Sequence, residues 1–190
     1  MPEIVPWPNF AALDHEIRTL ALVGQYLQEF AFMENEVDKV MATLMELNTT
    51  QQFVLSPNIP FHNKIHILTT LLKAISLQEQ SKNDYLVTLN HILRASSWRN
   101  NIAHSPFLPS NETDGVMFYV VKAQGELKFP DMDWPIARFE QEYNKLRTYQ
   151  NKTAGIHEDV AQAKAKIQEA IKQLSFPNSA PSEPETPNLE

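Results

Sequence analysis

The sequence predicts a mainly α-helical protein, and two observations lead to that class. Only four of its 190 residues are glycine, whereas Leu, Ala, Glu, Gln and Lys are abundant, a composition that favours helices over a β architecture. Apolar residues recur at steps of three or four along several long stretches, which is the spacing of one helix face. Cysteine is absent, which excludes disulfides and thiolate metal sites.

We expect one helical domain over residues 20–174. An N-terminal arm and short helix precede it over 1–19, and the segment 175–190, rich in Pro, Ser and Glu, should be a disordered tail. Proline suits the first turn of a helix and disfavours the α conformation in the residue before it, so Pro60 and Pro106 mark helix limits. The predicted helices, in chain order, span about 10–19, 20–47, 61–77, 84–104, 134–151 and 156–174.

Between the fourth and fifth predicted helices the sequence has the character of strands. Residues 116–121 are β-branched or aromatic except for Met117, a glycine-containing turn follows, and 126–129 lead back. This pattern predicts a small two-stranded hairpin over about 115–129, with Asp131 or Asp133 capping the next helix. The hairpin would either flank the cleft beside His104 or extend a contact between subunits.

The run Trp98-Arg99-Asn100-Asn101-Ile102-Ala103-His104-Ser105-Pro106 is the main functional candidate. It closes an apolar helix, so His104 should lie in the last turn, where the carbonyl ends favour a positively charged imidazole. An imidazolium beside an Arg and an Asn is well suited to binding a phosphate group. Five residues place Arg99 and His104 roughly 140° apart around a regular helix. Arg99 and His104 can therefore meet at one phosphate in three ways. The last turn of the helix deforms, the Arg side chain swings round, or a second copy of the motif faces the first.

This run resembles the Arg-Asn-x-x-x-His signature of the HEPN superfamily, an all-α group that contains many metal-independent ribonucleases. Its place at the end of an apolar helix that follows another helix fits that fold, and the resemblance covers roughly residues 20–146. It implies a helical bundle that forms a homodimer, with the two motifs facing each other across a shared cleft.

The resemblance also implies an activity: an endoribonuclease that uses the 2′-hydroxyl of RNA as nucleophile and needs no cofactor or metal. His104 would act as general base or acid, Arg99 would bind the scissile phosphate, and Asn100 would orient His104 or bond the phosphate. Members of the family often serve as toxins or in phage defence, which would add an antitoxin partner that the sequence does not identify.

Charge distribution suggests further substrate-binding residues. Residues 61–104 contain five Lys or Arg against two acids, a net charge of +3, which leaves −10 for the remainder of a chain with net charge −7. The predicted substrate-binding side chains in this basic, His-rich stretch are His62, Lys64, His66 and Arg94. An ordinary solvated helix face explains the same excess equally well. His62 and His66 share a helix face, but no third metal ligand is apparent.

Acidic residues decorate the helix predicted over 20–47, and one of them is a candidate helper to the motif, although a solvated face is the simpler interpretation. The leading alternative to a ribonuclease is a non-catalytic dimeric helical interaction module, or one that binds a nucleotide without cleaving it. The first residues lack the features of a signal peptide and no apolar run has the length of a membrane span, so we expect a cytoplasmic protein.

Overall fold

A computed structural model describes residues 7–75, 77–123, 127–128 and 132–174. The protein is mainly helical, as predicted. The predicted tail over 175–190 and the first six residues of the predicted arm lie outside the described residues. The helices are α1 (His15–Met45), α2 (Thr49–Leu55), α3 (Phe61–Ala74), α4 (Glu79–His104) and α5 (Ile136–Leu174), with 3-10 turns at Phe10–Ala12 and Ser56–Asn58. The strands are β1 (Phe107–Pro109), β2 (Val116–Phe118), β3 (Lys122–Ala123), β4 (Leu127–Lys128) and β5 (Asp133–Trp134).

Helix α1 is the centre of the bundle and packs against α5, α3 and α4. Its buried residues follow the predicted helical spacing, so one continuous stripe of side chains leaves water and drives the packing. Fully buried side chains from all four helices form the core: Leu22, Phe30, Met33, Val37, Leu68, Ile92, Phe139 and Ile156.

The boundary predicted at residues 19 and 20 falls inside α1. Asp14 accepts a hydrogen bond from the backbone N–H of Glu16 at 3.0 Å and starts the helix at His15. The short helix predicted over 10–19 is reduced to the 3-10 turn Phe10–Ala12.

The segment predicted as a connector over 48–59 contains α2. Asn48 and Gln51 form a reciprocal capping box, with both hydrogen bonds at 2.9 Å, so two otherwise unpaired backbone donors are satisfied at the helix start. Asn48 and Gln51 are three positions apart, which is the spacing of a capping box, so the start of α2 was predictable from the sequence.

The break predicted at 152–155 is wrong, because α5 runs without interruption from Ile136 to Leu174. Thr153, Ile156 and Val160 are all fully buried there. The burial of this face outweighs the cost of roughly 1 kcal/mol for a glycine in a helix interior, and Gly155 therefore stays helical.

The strand region is also more elaborate than one hairpin. Strand β2 pairs antiparallel with β1 and β5 in a three-stranded sheet, whereas β3 pairs with β4 as a separate ribbon. Gly115 is required where β2 meets β5, because a Cβ at that position would lie 1.9 Å from the carbonyl oxygen of Trp134.

Of the two acids predicted to cap α5, Asp131 lies outside the described residues and Asp133 lies in β5. The carboxylate of Asp114 accepts the N–H of Ile136 at 3.1 Å and so starts the helix from a distant loop. Asp133 instead accepts hydrogen bonds from Ser110 at 2.7 Å and Thr113 at 2.8 Å, which closes the loop between β1 and β2.

Trp134 fastens the sheet to the helices. It is fully buried, and its ring lies 5.7 Å from those of Tyr26 and Trp98 and 5.3 Å from that of Phe139. The guanidinium of Arg138 stacks over it at 4.3 Å. Aromatic and cation–π contacts of this kind add to the burial of apolar area, so the sheet is held firmly at the end of α4.

Candidate functional site

The motif helix ends where the sequence predicts. Helix α4 remains regular through His104, and the N–H of Ser105 still donates to the carbonyl of Asn101 at 3.1 Å. Ser105 itself is extended, with φ −102° and ψ 140°, as a residue before proline prefers. His104 is exposed in the last turn.

Arg99 is turned inward against α1. Its Nη2 lies 3.4 Å from Oε2 of Glu34, and its guanidinium lies 4.9 Å from the centre of the Phe30 ring. The Arg99 side chain keeps a quarter of its surface in water. The ion pair and the ring together restrict the long side chain to one region, so the guanidinium is partly ordered before any ligand arrives.

Glu34 links Arg99 to a buried lysine. Its second oxygen, Oε1, lies 3.1 Å from Nζ of Lys64, which also lies 2.8 Å from Oδ1 of Asp38. The Lys64 side chain is only 3% exposed. The four groups alternate in sign from Asp38 through Lys64 and Glu34 to Arg99, so each carboxylate is paired with at least one cation.

Burial raises the pKa of Asp38 above its ordinary value, and the ammonium of Lys64 only partly opposes that shift. The sequence predicts that Lys64 binds substrate. In the structure its ammonium pairs with two carboxylates, and its burial leaves little of the amine accessible to a phosphate. Lys64 holds the Glu34 carboxylate by an ion pair, and Glu34 in turn holds the Arg99 guanidinium.

The other predicted substrate-binding residues are exposed. His62 and His66 lie on α3 with ring centres 6.4 Å apart, and Arg94 lies on α4. No described contact joins these three side chains to Arg99 or to His104. Asn100, also exposed, is one turn from His104 on the same face of α4.

The regularity of α4 removes one of the three ways in which Arg99 and His104 can meet. Because the last turn keeps its i to i−4 hydrogen bond, the helix does not deform to bring them together. Arg99 faces α1 while His104 faces water, so one phosphate reaches both only by movement of the Arg side chain or by a second copy of the chain.

Two clefts lie elsewhere, between α4 and α5. Cavities of about 380 and 390 Å³ flank the hydrogen bond that Tyr85 donates to Asp159. Burial, together with the Asp159 carboxylate, raises the pKa of Tyr85 to about 12. Residues 85 and 104 are separated by roughly 28 Å of helix, so these clefts are distinct from the motif.

Sequence reasoning missed two parts of the site. In the sequence Phe30 is one of several apolar residues at helical spacing and Glu34 is one of several acids on the same helix, so no local feature distinguishes either. Neither lies near the motif in sequence, and only the packing of α1 against α4 brings them to Arg99.

Within the described ranges, no three His, Asp or Glu side chains are grouped closely enough to hold a metal ion. None of the helices in the described part of the chain has both the length and the apolar character to cross a membrane. Comparison of the chain with protein-family models, with curated proteins and with solved structures found no match.

Proposed function

We propose that the chain is a metal-independent endoribonuclease of HEPN type. The observation that carries the proposal is that an exposed His104 at the end of α4 follows, after five residues, an Arg99 whose guanidinium contacts Glu34 and Phe30 of α1. The resemblance of the Arg99-to-His104 run to the HEPN signature supports the same conclusion.

In this reaction the protein supplies no nucleophile. The 2′-oxygen of RNA attacks the adjacent phosphorus, the bond from phosphorus to the 5′-oxygen breaks, and the products are a 2′,3′-cyclic phosphate and a 5′-hydroxyl. His104 accepts the proton of the 2′-hydroxyl, and an imidazolium returns a proton to the leaving 5′-oxygen. General acid–base catalysis by a positioned imidazole contributes about 10²- to 10⁴-fold to the rate.

Arg99 binds the phosphate and stabilises the charge that builds on its oxygens. The ion pair does not prevent this, since a guanidinium has five N–H donors and Glu34 engages one of its three nitrogens, Nη2. Asn100 shares the face of His104 and would orient the imidazole or bond a phosphate oxygen.

The proposed enzyme is a two-fold homodimer. In a self-complementary interface the motif of one protomer faces that of its partner, so the Arg99 of one copy and the His104 of the other meet at one phosphodiester.

The second candidate is a non-catalytic helical interaction module, with or without a bound nucleotide. The observation in its favour is that Arg99 already has an ion pair and an aromatic partner within the fold. In that case the motif serves the packing of α4 against α1.

Cleavage of mixed RNA in EDTA tests the proposal. We would compare wild type, Arg99→Ala, His104→Ala and the control His91→Ala, which removes an exposed histidine from the same helix. The proposal expects wild type and His91→Ala to produce 2′,3′-cyclic ends, with about 10²- to 10⁴-fold slower cleavage in His104→Ala, and all four proteins folded and dimeric.

An inactive wild type would refute the ribonuclease. If Arg99→Ala then also lost stability or the dimer, the interaction module would be the correct assignment. RNA binding measured over a salt series adds a second criterion, because binding through phosphates weakens steeply as salt rises.

A further inference from the structure

Helix α1 is the centre of the bundle, yet one of its own sides is exposed. Helices α3, α4 and α5 pack against α1 from other directions. The exposed side spans an arc of about 120° around a regular helix and extends for about 27 Å along it. Its eight residues are exposed or half-buried, and we call them the open face: Ile17, Leu20, Ala21, Gly24, Gln28, Ala31, Phe32 and Asn35.

The open face is apolar and carries no charge. Ile17, Leu20 and Phe32 are 58%, 65% and 48% exposed, and none of the eight residues is Asp, Glu, Lys or Arg. The solvent side of a helix is usually lined by charged and polar residues. Depletion of charge around apolar side chains is instead typical of the centre of a protein interface. The face therefore has the composition of a surface that a protein partner covers.

The order of large and small residues fits a second copy of α1 that runs antiparallel to the first. In such a two-fold pair the axis passes at about residue 26, the middle of the open face, and each flank of one helix meets the same flank of the other. Three contacts then place a larger side chain opposite a small residue: Leu20 with the partner's Ala31 on one flank, Phe32 with the partner's Ala21 on the other, and Gln28 with the partner's Gly24 between them. Interdigitation of this kind is what close packing of two helices requires.

Gly24 agrees with the same arrangement. A Cβ built at this position meets no atom of the described chain within 4 Å, so packing inside the protomer does not require glycine there. Glycine is also unfavourable in a helix interior. Its missing side chain lets the backbone of a second helix approach closely, and Gly24 lies near the middle of the open face, where the antiparallel pair places such a contact.

The open face borders the Arg99 site. Glu34, which pairs with Arg99, lies about 100° around α1 from the centre of the face. From Arg99 the chain runs toward the start of α1, because the carbonyl of Asp114, beyond β1, accepts a hydrogen bond from Nη1 of Arg18 at 3.2 Å. His104 lies five residues, about 7.5 Å, further in that direction than Arg99. It is therefore close to the height of the middle of the open face.

We propose that two copies of the chain pack the open faces of α1 together, antiparallel, as the two-fold interface of the homodimer. The inference rests on the homodimer of the proposed function and not on its ribonuclease activity. Because each flank meets its own counterpart, the Arg99 and His104 side chains of both copies lie on one side of the paired α1 helices. A phosphodiester on that side can reach residues of two protomers.

Other occupants fit the open face less well. RNA is attracted by cations that neutralise its phosphates, and the open face contains none. An unrelated protein does not need large and small residues matched about one centre. A two-fold contact does, because every pair of residues in it occurs twice. The matching therefore favours a second copy of this chain.

Thiol cross-linking tests the pairing directly, because the chain has no cysteine. Near the two-fold axis a residue lies close to its own copy: the two Gln28 positions are about 6 Å apart along the helices, whereas the two Ile17 positions are about 27 Å apart. With a short bifunctional reagent, Gln28→Cys should form covalent dimers and Ile17→Cys should not. A mixture of Ile17→Cys and Asn35→Cys should cross-link. Phe53→Cys, at a position 72% exposed on α2, is the control for random collisions.

Sedimentation equilibrium measures the affinity of the dimer. Phe32→Glu places a carboxylate in the interface, so we expect its dimer dissociation constant to rise by about 100-fold or more. The matched control Phe53→Glu changes a phenylalanine outside the open face and should dimerise as wild type does. Both positions are exposed in the single chain, so circular dichroism should show both variants folded. Since each copy has a net charge of −7, association should strengthen as salt screens the repulsion.

The possible results separate this inference from the ribonuclease. Covalent dimers of Gln28→Cys with weakened association of Phe32→Glu would support the interface, even if wild type cleaves no RNA and the ribonuclease is refuted. A dimer that Phe32→Glu does not weaken, or equal cross-linking of Ile17→Cys and Gln28→Cys, would overturn the antiparallel α1 pair and leave the ribonuclease to its own assay. A chain that stays monomeric at every concentration would overturn the interface and the dimer, whereas RNA cleavage by that monomer would still support the ribonuclease.

Discussion

Lys64 provides the sharpest test of how the site is held together. Replacing it by Met removes the shared cation of Glu34 and Asp38 while keeping a long apolar side chain. Removing one partner of a buried ion pair typically costs about 3–5 kcal/mol. In the variant Glu34 still pairs with Arg99 at 3.4 Å and its side chain is 27% exposed. Asp38 loses its cation and its side chain is only 15% exposed, so most of the lost stability comes from Asp38. We therefore expect the low end, about 3 kcal/mol of unfolding free energy.

Urea unfolding at near-neutral and at acidic pH would measure this loss. The Asp38 pKa is already raised by burial, and Lys64 is the group that opposes this rise most, ahead of Ser56, so the Asp38 pKa rises further in the variant. Because the loss comes from the charged carboxylate, it should be complete above the raised pKa and should shrink as pH falls through it. The control Lys39→Met removes the pair with Glu36 at 2.7 Å on α1, in which the lysine is 45% exposed rather than buried, and should cost about 1 kcal/mol or less.

Equal losses in the two variants, or a loss for Lys64→Met that does not change with pH, would refute the reasoning. A double variant, Lys64→Met with Asp38→Asn, should recover part of the stability, since the unpaired charge is then absent. If Lys64→Met instead left stability intact and weakened RNA binding, Lys64 would be a substrate ligand, as the sequence predicted.

Three further predictions concern the fold and its titration. Gly115→Ala should destabilise the protein by about 3 kcal/mol or more in urea unfolding, because its Cβ would overlap the Trp134 carbonyl; a loss below that of a typical surface variant would contradict the overlap. Asn48→Ala should cost about 1 kcal/mol by losing the capping box, while Asn48→Ser retains most of it. Burial raises the pKa of Glu29 above 4.5, opposed by Arg147, so stability should fall as pH rises from that ordinary value to the raised one and then level off. Glu29→Gln should remove this part of the pH profile, and an unchanged profile would exclude Glu29 as its source.

The helices illustrate what local pattern determines. The apolar stripe of α1 and the end of α4 before Pro106 were both predictable, because helical spacing and proline stereochemistry act within a few residues. The break predicted at 152–155 is wrong for the complementary reason: the local run Lys-Thr-Ala-Gly favours a helix end, and burial of Thr153 and Ile156 keeps the helix intact. The prediction of a single hairpin was incomplete for a similar reason, because strands of two or three residues depend on pairing with other strands rather than on their own sequence.

The sequence by itself determined the helical class, the place of Arg99, Asn100 and His104 at the end of one helix, and the angle of roughly 140° between the first and last. Tertiary structure alone decided what surrounds them. Packing of α1 against α4 placed Glu34 and Phe30 on Arg99 and buried Lys64 behind Glu34, contacts that join residues tens of positions apart. No local pattern encodes such contacts, because they arise from the shared burial of two helix faces.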